Sequence, residues 1–205
     1  AGRFNAYNAL AVVALGGALG LDPAAVRAGL EGVSAVPGRM ERIEAGQPFG
    51  VVVDSAPSPA SLALVLDELA PAAHAAGGGL IAVFGSAGER DVAKRPMMGR
   101  IAGERCRLVV VTDEDPRGEA REASARESAA GAGAAGRTIG RDVLIVPDRG
   151  AAIREALALA QPGDIVLLAG KGHETTIIYA DRAEPWDERA EATAALAALG
   201  WVVSS

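Results

Sequence analysis

Four short polar stretches hold most of the side chains in this sequence that could do chemistry. They are Asp54-Ser55-Ala56-Pro57-Ser58-Pro59, residues 85–96 (GSAGERDVAKRP), Thr112-Asp113-Glu114-Asp115-Pro116-Arg117, and residues 169–174 (AGKGHE). Together they offer Arg90, Lys94, Arg95, Arg117 and Lys171 as cations and Asp54, Glu114, Asp115 and Glu174 as anions. Such a set suits a zwitterionic amino acid or a phosphorylated ligand: arginine grips a carboxylate or phosphate bidentately, and a carboxylate accepts from an ammonium. Gly85-Ser86-Ala87-Gly88 reads equally as a phosphate-cradling loop and as an ordinary strand-to-helix turn. A serine nucleophile at Ser55 or Ser86 with a histidine base stays open, although neither lies in a G-x-S-x-G elbow. His74 reads as solvated and His173 as structural or solvated. No His, Cys and carboxylate set has zinc spacing, so no metal ligand is expected.

Each stretch follows an apolar run, and those runs must position it. Residues 51–53, 80–84, 108–111, 143–146 and 165–169 carry no polar alternation, which is how strands covered on both faces read. Helical segments are expected between them over 60–74, 96–105, 119–130 and 150–160. Strands alternating with helices specify parallel βαβ units. The expected fold is α/β, a Rossmann-like, open, mostly parallel sheet flanked by helices. All four polar stretches then lie beyond carboxyl ends of strands, where such sheets bind ligands. Residues 175–179 are expected to add an edge strand and 188–199 a closing helix. Residues 131–140, GAGAAGRTIG, read as a flexible loop. At the other end, residues 5–19 and 23–31 read as two helices, the second with Asp22 as N-cap and Pro23 at its first position. They have no sheet of their own and read as the tail of a preceding domain. The stretch 36–50 reads as a linker or short hairpin, and the boundary is placed near Arg42.

Composition bounds the function class. Among 205 residues, 50% are hydrophobic and Lys+Arg 20 stand against Asp+Glu 26, a net charge of −6. That balance argues against a general nucleic-acid binder, and an aromatic content of 3% argues against base-stacking platforms. The single cysteine, Cys106, rules out an intramolecular disulfide and fits a reducing cytoplasm. No apolar run reaches the ~18 residues of a membrane span.

Taken in order, GRFNAYNA, VPGRMER, VDSAPSP, FGSAGERDVAKRPMMG, VVTDEDPR, PDR, AGKGHET and PWDER resemble the Mur ligase family. The match is strongest with the branch that adds the third amino acid of the peptidoglycan stem peptide. The resemblance implies that residues 1–41 are the end of a central ATPase domain. Residues 42–205 would then be the carboxyl-terminal domain that brings the incoming amino acid. The implied chemistry is ATP- and Mg²⁺-dependent amide formation through an acyl phosphate, joining a diamino acid to UDP-N-acetylmuramoyl-L-Ala-D-Glu. By similarity Asn5, Asn8, Arg39 and Asp54 face ATP, and Arg90 holds a carboxylate of the amino acid. Glu114, Asp115, Pro116 and Arg117 read its side chain, and Gly170 and Glu174 contact its far end.

Departures from the family pattern qualify these roles. The usual Asp-Tyr-Ala-His-Thr-Pro reads Asp54-Ser55-Ala56-Pro57-Ser58-Pro59, without the tyrosine and the histidine. The usual Asp-Asn-Pro-Arg reads Glu114-Asp115-Pro116-Arg117. Arg117 favours a distal carboxylate and hence meso-diaminopimelate, whereas the added charge of Asp115 favours ornithine or lysine. No G-x-x-x-x-G-K-[ST] loop occurs, and the family's Mg²⁺ ligands have no positions here. The expectation is part of a monomeric cytoplasmic ligase with no catalytic residue of its own, inactive alone. The alternatives are another Mur-type ligase, such as folylpolyglutamate synthetase, and a non-catalytic module that binds an amino acid or cell-wall precursor.

Overall fold

A computed structural model describes residues 3–33 and 36–202, with side chains from Ala6 onward. Two helices come first, α1 (Arg3–Ala18) and α2 (Pro23–Glu31). Asp22 caps α2 by accepting from the Ala24 N–H at 3.0 Å, with proline at the first position as expected. The pair pack on each other at Gly16 and Val26 and contribute to neither core cluster. Tyr7, Leu10, Leu15 and Leu19 stay 61–72% exposed, so the pair leaves several large apolar side chains open to water.

The α/β body follows. A hairpin of β1 (Glu41–Arg42) and β2 (Gly50–Asp54) leads through α3 (Pro59–Ala75) to β3 (Leu80–Phe84), α4 (Lys94–Arg105) and β4 (Leu108–Val111). The chain continues through α5 (Arg121–Ala134), β5 (Val143–Ile145), α6 (Arg149–Ala158) and β6 (Ile165–Ala169). It ends in β7 (Thr176–Ile178), β8 (Ala183–Pro185) and α7 (Glu188–Ala198). Sheet order is β1-β2-β6-β3-β4-β5, with β1 antiparallel and the rest parallel. The chain walks outward through β3, β4 and β5, then returns over the opposite face to insert β6 between β2 and β3. Four strand ends carrying polar loops therefore stand side by side.

The unbroken apolar strands reflect helices on both faces. Val109 and Val111 face one core with Leu62, Met98 and Ala129, while Leu108 and Val110 face another with Ile153, Leu157 and Leu196. The first core lies under α3, α4 and α5, the second under α6 and α7. Helices α4 and α5 cross closely because their contact is nearly bare: a Cβ at Gly99 would sit 1.8 Å from the Ser128 carbonyl oxygen.

Two expectations need correction. Residues 131–134 are the last turn of α5 rather than loop, because Gly131 lies against the Pro96 carbonyl and Ala132 is buried. Contact with α4 outweighs the weak helix propensity of glycine. Residues 176–178 do not extend the main sheet: β7 pairs antiparallel with β8 in a separate hairpin. The stretch 36–50 does form the hairpin that was one of its two readings.

Candidate functional site

Backbone strain collects where the polar loops meet. Among the described residues, the non-glycine positions with positive φ are Met40 (48°), Ala56 (23°), Glu89 (55°) and Arg117 (51°). Each belongs to a loop at the carboxyl end of the sheet or to the segment docked on it. Left-handed backbone at a non-glycine residue is disfavoured and clusters at functional sites. The loops are also interlocked. The Gly88 N–H donates to the Asp115 carbonyl at 2.8 Å, and a Cβ on Gly88 would meet the Pro116 carbonyl at 2.2 Å. Lys94 Nζ donates to the Pro57 carbonyl at 2.9 Å, and the Gly170 N–H to the Asp54 carbonyl at 3.1 Å.

In this frame Arg90 is exposed and makes no side-chain hydrogen bond or ion pair with a described residue. Its neighbour Glu89 is fixed in place because its N–H donates to Glu119, whose carboxylate also takes Arg95 and the Ser124 hydroxyl. Those donors, the Glu89 N–H first and then Arg95, hold the Glu119 carboxyl below the usual range. Arg117 is half-buried, with its Nε enclosed and lacking a protein partner. Its N–H donates to the Ile178 carbonyl at 2.9 Å, so the β7–β8 hairpin backs this loop.

The acidic residues divide into engaged and open groups. Asp115 Oδ1 accepts from Lys171 Nζ at 2.8 Å and from the Ile178 N–H at 3.0 Å. Lys171 is fully buried and also donates to Glu174 Oε2 at 2.6 Å. Glu114 is 6% exposed, with Oε2 buried and unpartnered beside Gly170, whose φ is +110°. Burial pushes the Glu114 carboxyl above the usual range, and Lys94, Arg149 and Lys171 pull against it. Pro116 is buried under the loop. Asp113 is paired with Arg121, whose guanidinium lies 5.5 Å from the Tyr179 ring centroid. A buried carboxylate and a buried guanidinium nitrogen without partners beside one strand end are what a bound zwitterion could satisfy.

Beneath the loops, Arg149 and Glu188 join two motifs seen separately in the sequence, PDR and PWDER. The guanidinium pairs with the Glu188 carboxylate and donates to the carbonyls of Asp113 at 3.0 Å and Ala169 at 2.9 Å. Trp186 Nε1 donates to the same carboxylate at 2.6 Å. This cluster ties the loop after β4 to the loop after β6. Sequence reasoning assigned it no role, although two charged residues inside quoted motifs were the available signal.

The residues expected to face ATP are spread differently. Asp54 is 4% exposed, and its carboxylate accepts from the Met40 N–H at 2.9 Å and the Ala56 N–H at 2.9 Å, holding the 36–40 segment to β2. Arg39 is exposed at that segment. Asn8 is exposed on α1, and the Asn5 side chain lies outside the described residues. His74 and His173 are both exposed. Among the described residues there is no group of three or more His, Cys, Asp or Glu that could hold a metal ion. A cavity of about 460 Å³ opens at the amino ends of the strands, between Arg42, Phe49, Leu69 and Asp164, away from these loops.

The family model "Mur ligase, glutamate ligase domain" matches residues 38–172, which contain the first three of these loops and the start of the fourth. The chain belongs to the Mur ligase family. It is 56% identical over 98% of its length to a UDP-N-acetylmuramyl-tripeptide synthetase of Roseiflexus sp. (strain RS-1), covering 39% of that protein. It is 44% identical over 97% of its length to a UDP-N-acetylmuramoyl-L-alanyl-D-glutamate--2,6-diaminopimelate ligase of Geobacter metallireducens, covering 40% of it. A solved structure of a ligase with that second name superposes with a TM-score of 0.70 at 32% identity, covering 97% of this chain and 39% of that one. This Mur ligase chain thus spans about two-fifths of the length of relatives it matches. No helix among its described residues is long and apolar enough to cross a membrane.

Proposed function

We propose that the chain is the amino-acid-binding part of an ATP-dependent amide ligase. The ligase joins a diamino acid, with meso-diaminopimelate preferred, to UDP-N-acetylmuramoyl-L-Ala-D-Glu in peptidoglycan synthesis. The observation that carries this reading is the pairing of roles at one strand end. Arg117 keeps a buried guanidinium nitrogen without a partner, while the Asp115 charge is taken up by Lys171. Asp115 was the residue that favoured a purely basic side chain, and its engagement leaves Arg117 to receive a distal carboxylate. Arg90 takes the other carboxylate, and Glu114 and Glu174 accept from ammonium groups. Backbone at Gly170 lets the ligand approach.

Residues 1–41 are read as the end of a central ATPase domain and 42–205 as the carboxyl-terminal domain. The exposed apolar side chains of α1 support this, since the ATPase domain would cover them. Asn5, Asn8 and Arg39 would face ATP from that side. Asp54 would act through the Met40 and Ala56 backbone that it holds rather than by a free carboxylate. ATP supplies the phosphoryl group that activates the acyl carboxylate, and Mg²⁺ would be held by the upstream part of the ligase. The chain supplies no catalytic residue; it orients the attacking amine, and closure of the domains excludes water. The ligase is read as a cytoplasmic monomer, consistent with a buried free thiol at Cys106. In the full-length ligase, phosphate release should require ATP, Mg²⁺, the UDP-muramoyl dipeptide and meso-diaminopimelate together. Release with glutamate instead would move the reading to a folylpolyglutamate-type ligase.

A further inference from the structure

We propose that Lys171 sets the amino-acid preference of this site by masking the Asp115 charge. The inference rests on the function proposed above. The Lys171 ammonium sits 2.8 Å from Asp115 Oδ1 and 2.6 Å from Glu174 Oε2, and its side chain is 0% exposed. The two carboxylates are 11% and 46% exposed, so they lie between the ammonium and solvent. A ligand entering the site meets the carboxylates and not Lys171, which therefore acts through them.

The consequence is electrostatic. meso-Diaminopimelate differs from lysine by one distal carboxylate. Three carboxylates, Glu114, Asp115 and Glu174, stand around the Arg117 loop, and unbalanced they would repel that group. A cation in direct contact with Asp115 and Glu174 offsets one of their two unit charges, so Arg117 attracts the distal carboxylate against a weaker opposing field. An aspartate can thus occupy the position where the family pattern has an uncharged asparagine without turning the site toward a bare ammonium. A buried ammonium is tolerated only when paired, and its removal exposes the ligand to both anions.

The test uses the full-length ligase and compares kcat/KM for meso-diaminopimelate with kcat/KM for lysine. Saturating ATP, Mg²⁺ and UDP-muramoyl dipeptide are present. Lys171→Met is expected to lower the diaminopimelate-to-lysine ratio at least ~10-fold, as an unmasked charge beside a charged ligand does. Adding Asp115→Asn to Lys171→Met is expected to restore most of the ratio. If Lys171→Met does not fold, Lys171→Gln, which keeps a donor for Asp115 without the charge, reads the same quantity. Equal losses for both amino acids, with the ratio unmoved, would show a purely structural lysine and overturn the proposal. A wild-type ligase that prefers lysine would overturn it as well. Use of neither amino acid by the wild type would remove the functional reading, and this proposal with it.

Discussion

Arg149 and Glu188, 39 residues apart in sequence, form an ion pair with both side chains fully enclosed. The guanidinium also donates to the carbonyls of Asp113, two residues past β4, and Ala169, the last residue of β6, so one cation holds the start of both loops. Such a pair offers little net stability over apolar packing, but breaking it strands a charge in the core. Glu188→Ala should therefore destabilise the protein by about 3–5 kcal/mol, read by urea unfolding. Arg149→Met combined with Glu188→Leu should lose clearly less than the two single changes summed. Additive losses would mean that the pair is not a unit.

Arg117→Ala tests the guanidinium that has no protein partner. Losing a charge-assisted contact of about 1.5–3 kcal/mol corresponds to roughly 10–100-fold in kcat/KM for meso-diaminopimelate. Lysine, which lacks the distal carboxylate, should be used nearly as before. Steady-state kinetics with both amino acids would check this, and unchanged diaminopimelate use would remove Arg117 from the site.

Glu114 predicts a trade between stability and binding. Burial raises its carboxyl above the ordinary range, so the folded state holds the proton to higher pH than the unfolded chain does. Its ionisation therefore costs stability as pH rises from the unfolded value of ~4.3 through the folded one, and the full cost remains above that. Glu114→Gln should melt higher than the wild type near pH 7, with the gain fading below about pH 4. The same variant should bind the amino acid more weakly. A lower melting temperature at neutral pH would show that the carboxylate has a partner in the apo protein.

The helix crossing gives a packing prediction. Gly99 faces the Ser128 carbonyl, which cannot retract as a flexible side chain would. Gly99→Val should cost at least about 3 kcal/mol, the upper part of the overpacking range, in thermal or urea unfolding. A mild effect would mean that α4 and α5 can separate without loss.

Cys106 should be inert. It is fully buried, and burial pushes its thiol up to about 12. Iodoacetamide at pH 8 should label it only after denaturant is added, as mass spectrometry would show, because the thiolate is the nucleophile.

The layered fold was legible because strands covered on both faces abandon polar alternation, as Leu108 to Val111 do. Loops at strand ends followed from that, and so did the grouping of Arg90, Glu114, Arg117 and Gly170 at one end of the sheet. Partners across the sheet were not legible. Nothing local in PDR reveals that Arg149 meets Glu188, and a free-looking Asp54 is in fact consumed by two backbone N–H groups. Insertion of β6 between β2 and β3 is a long-range choice that periodicity does not encode. Gly131 reads as loop because its propensity is local, whereas the close contact that keeps it helical comes from Pro96 of α4.

The most direct test of the central claim is calorimetry on the full-length ligase with an ATP analogue, Mg²⁺ and UDP-muramoyl dipeptide. meso-Diaminopimelate, ornithine and lysine are titrated in turn. Preference for meso-diaminopimelate by more than ~1.4 kcal/mol, a factor of ten, is the predicted result. Equal or stronger binding of ornithine or lysine would contradict Arg117 as the reader of a distal carboxylate. Binding of none of the three would contradict the amino-acid site itself.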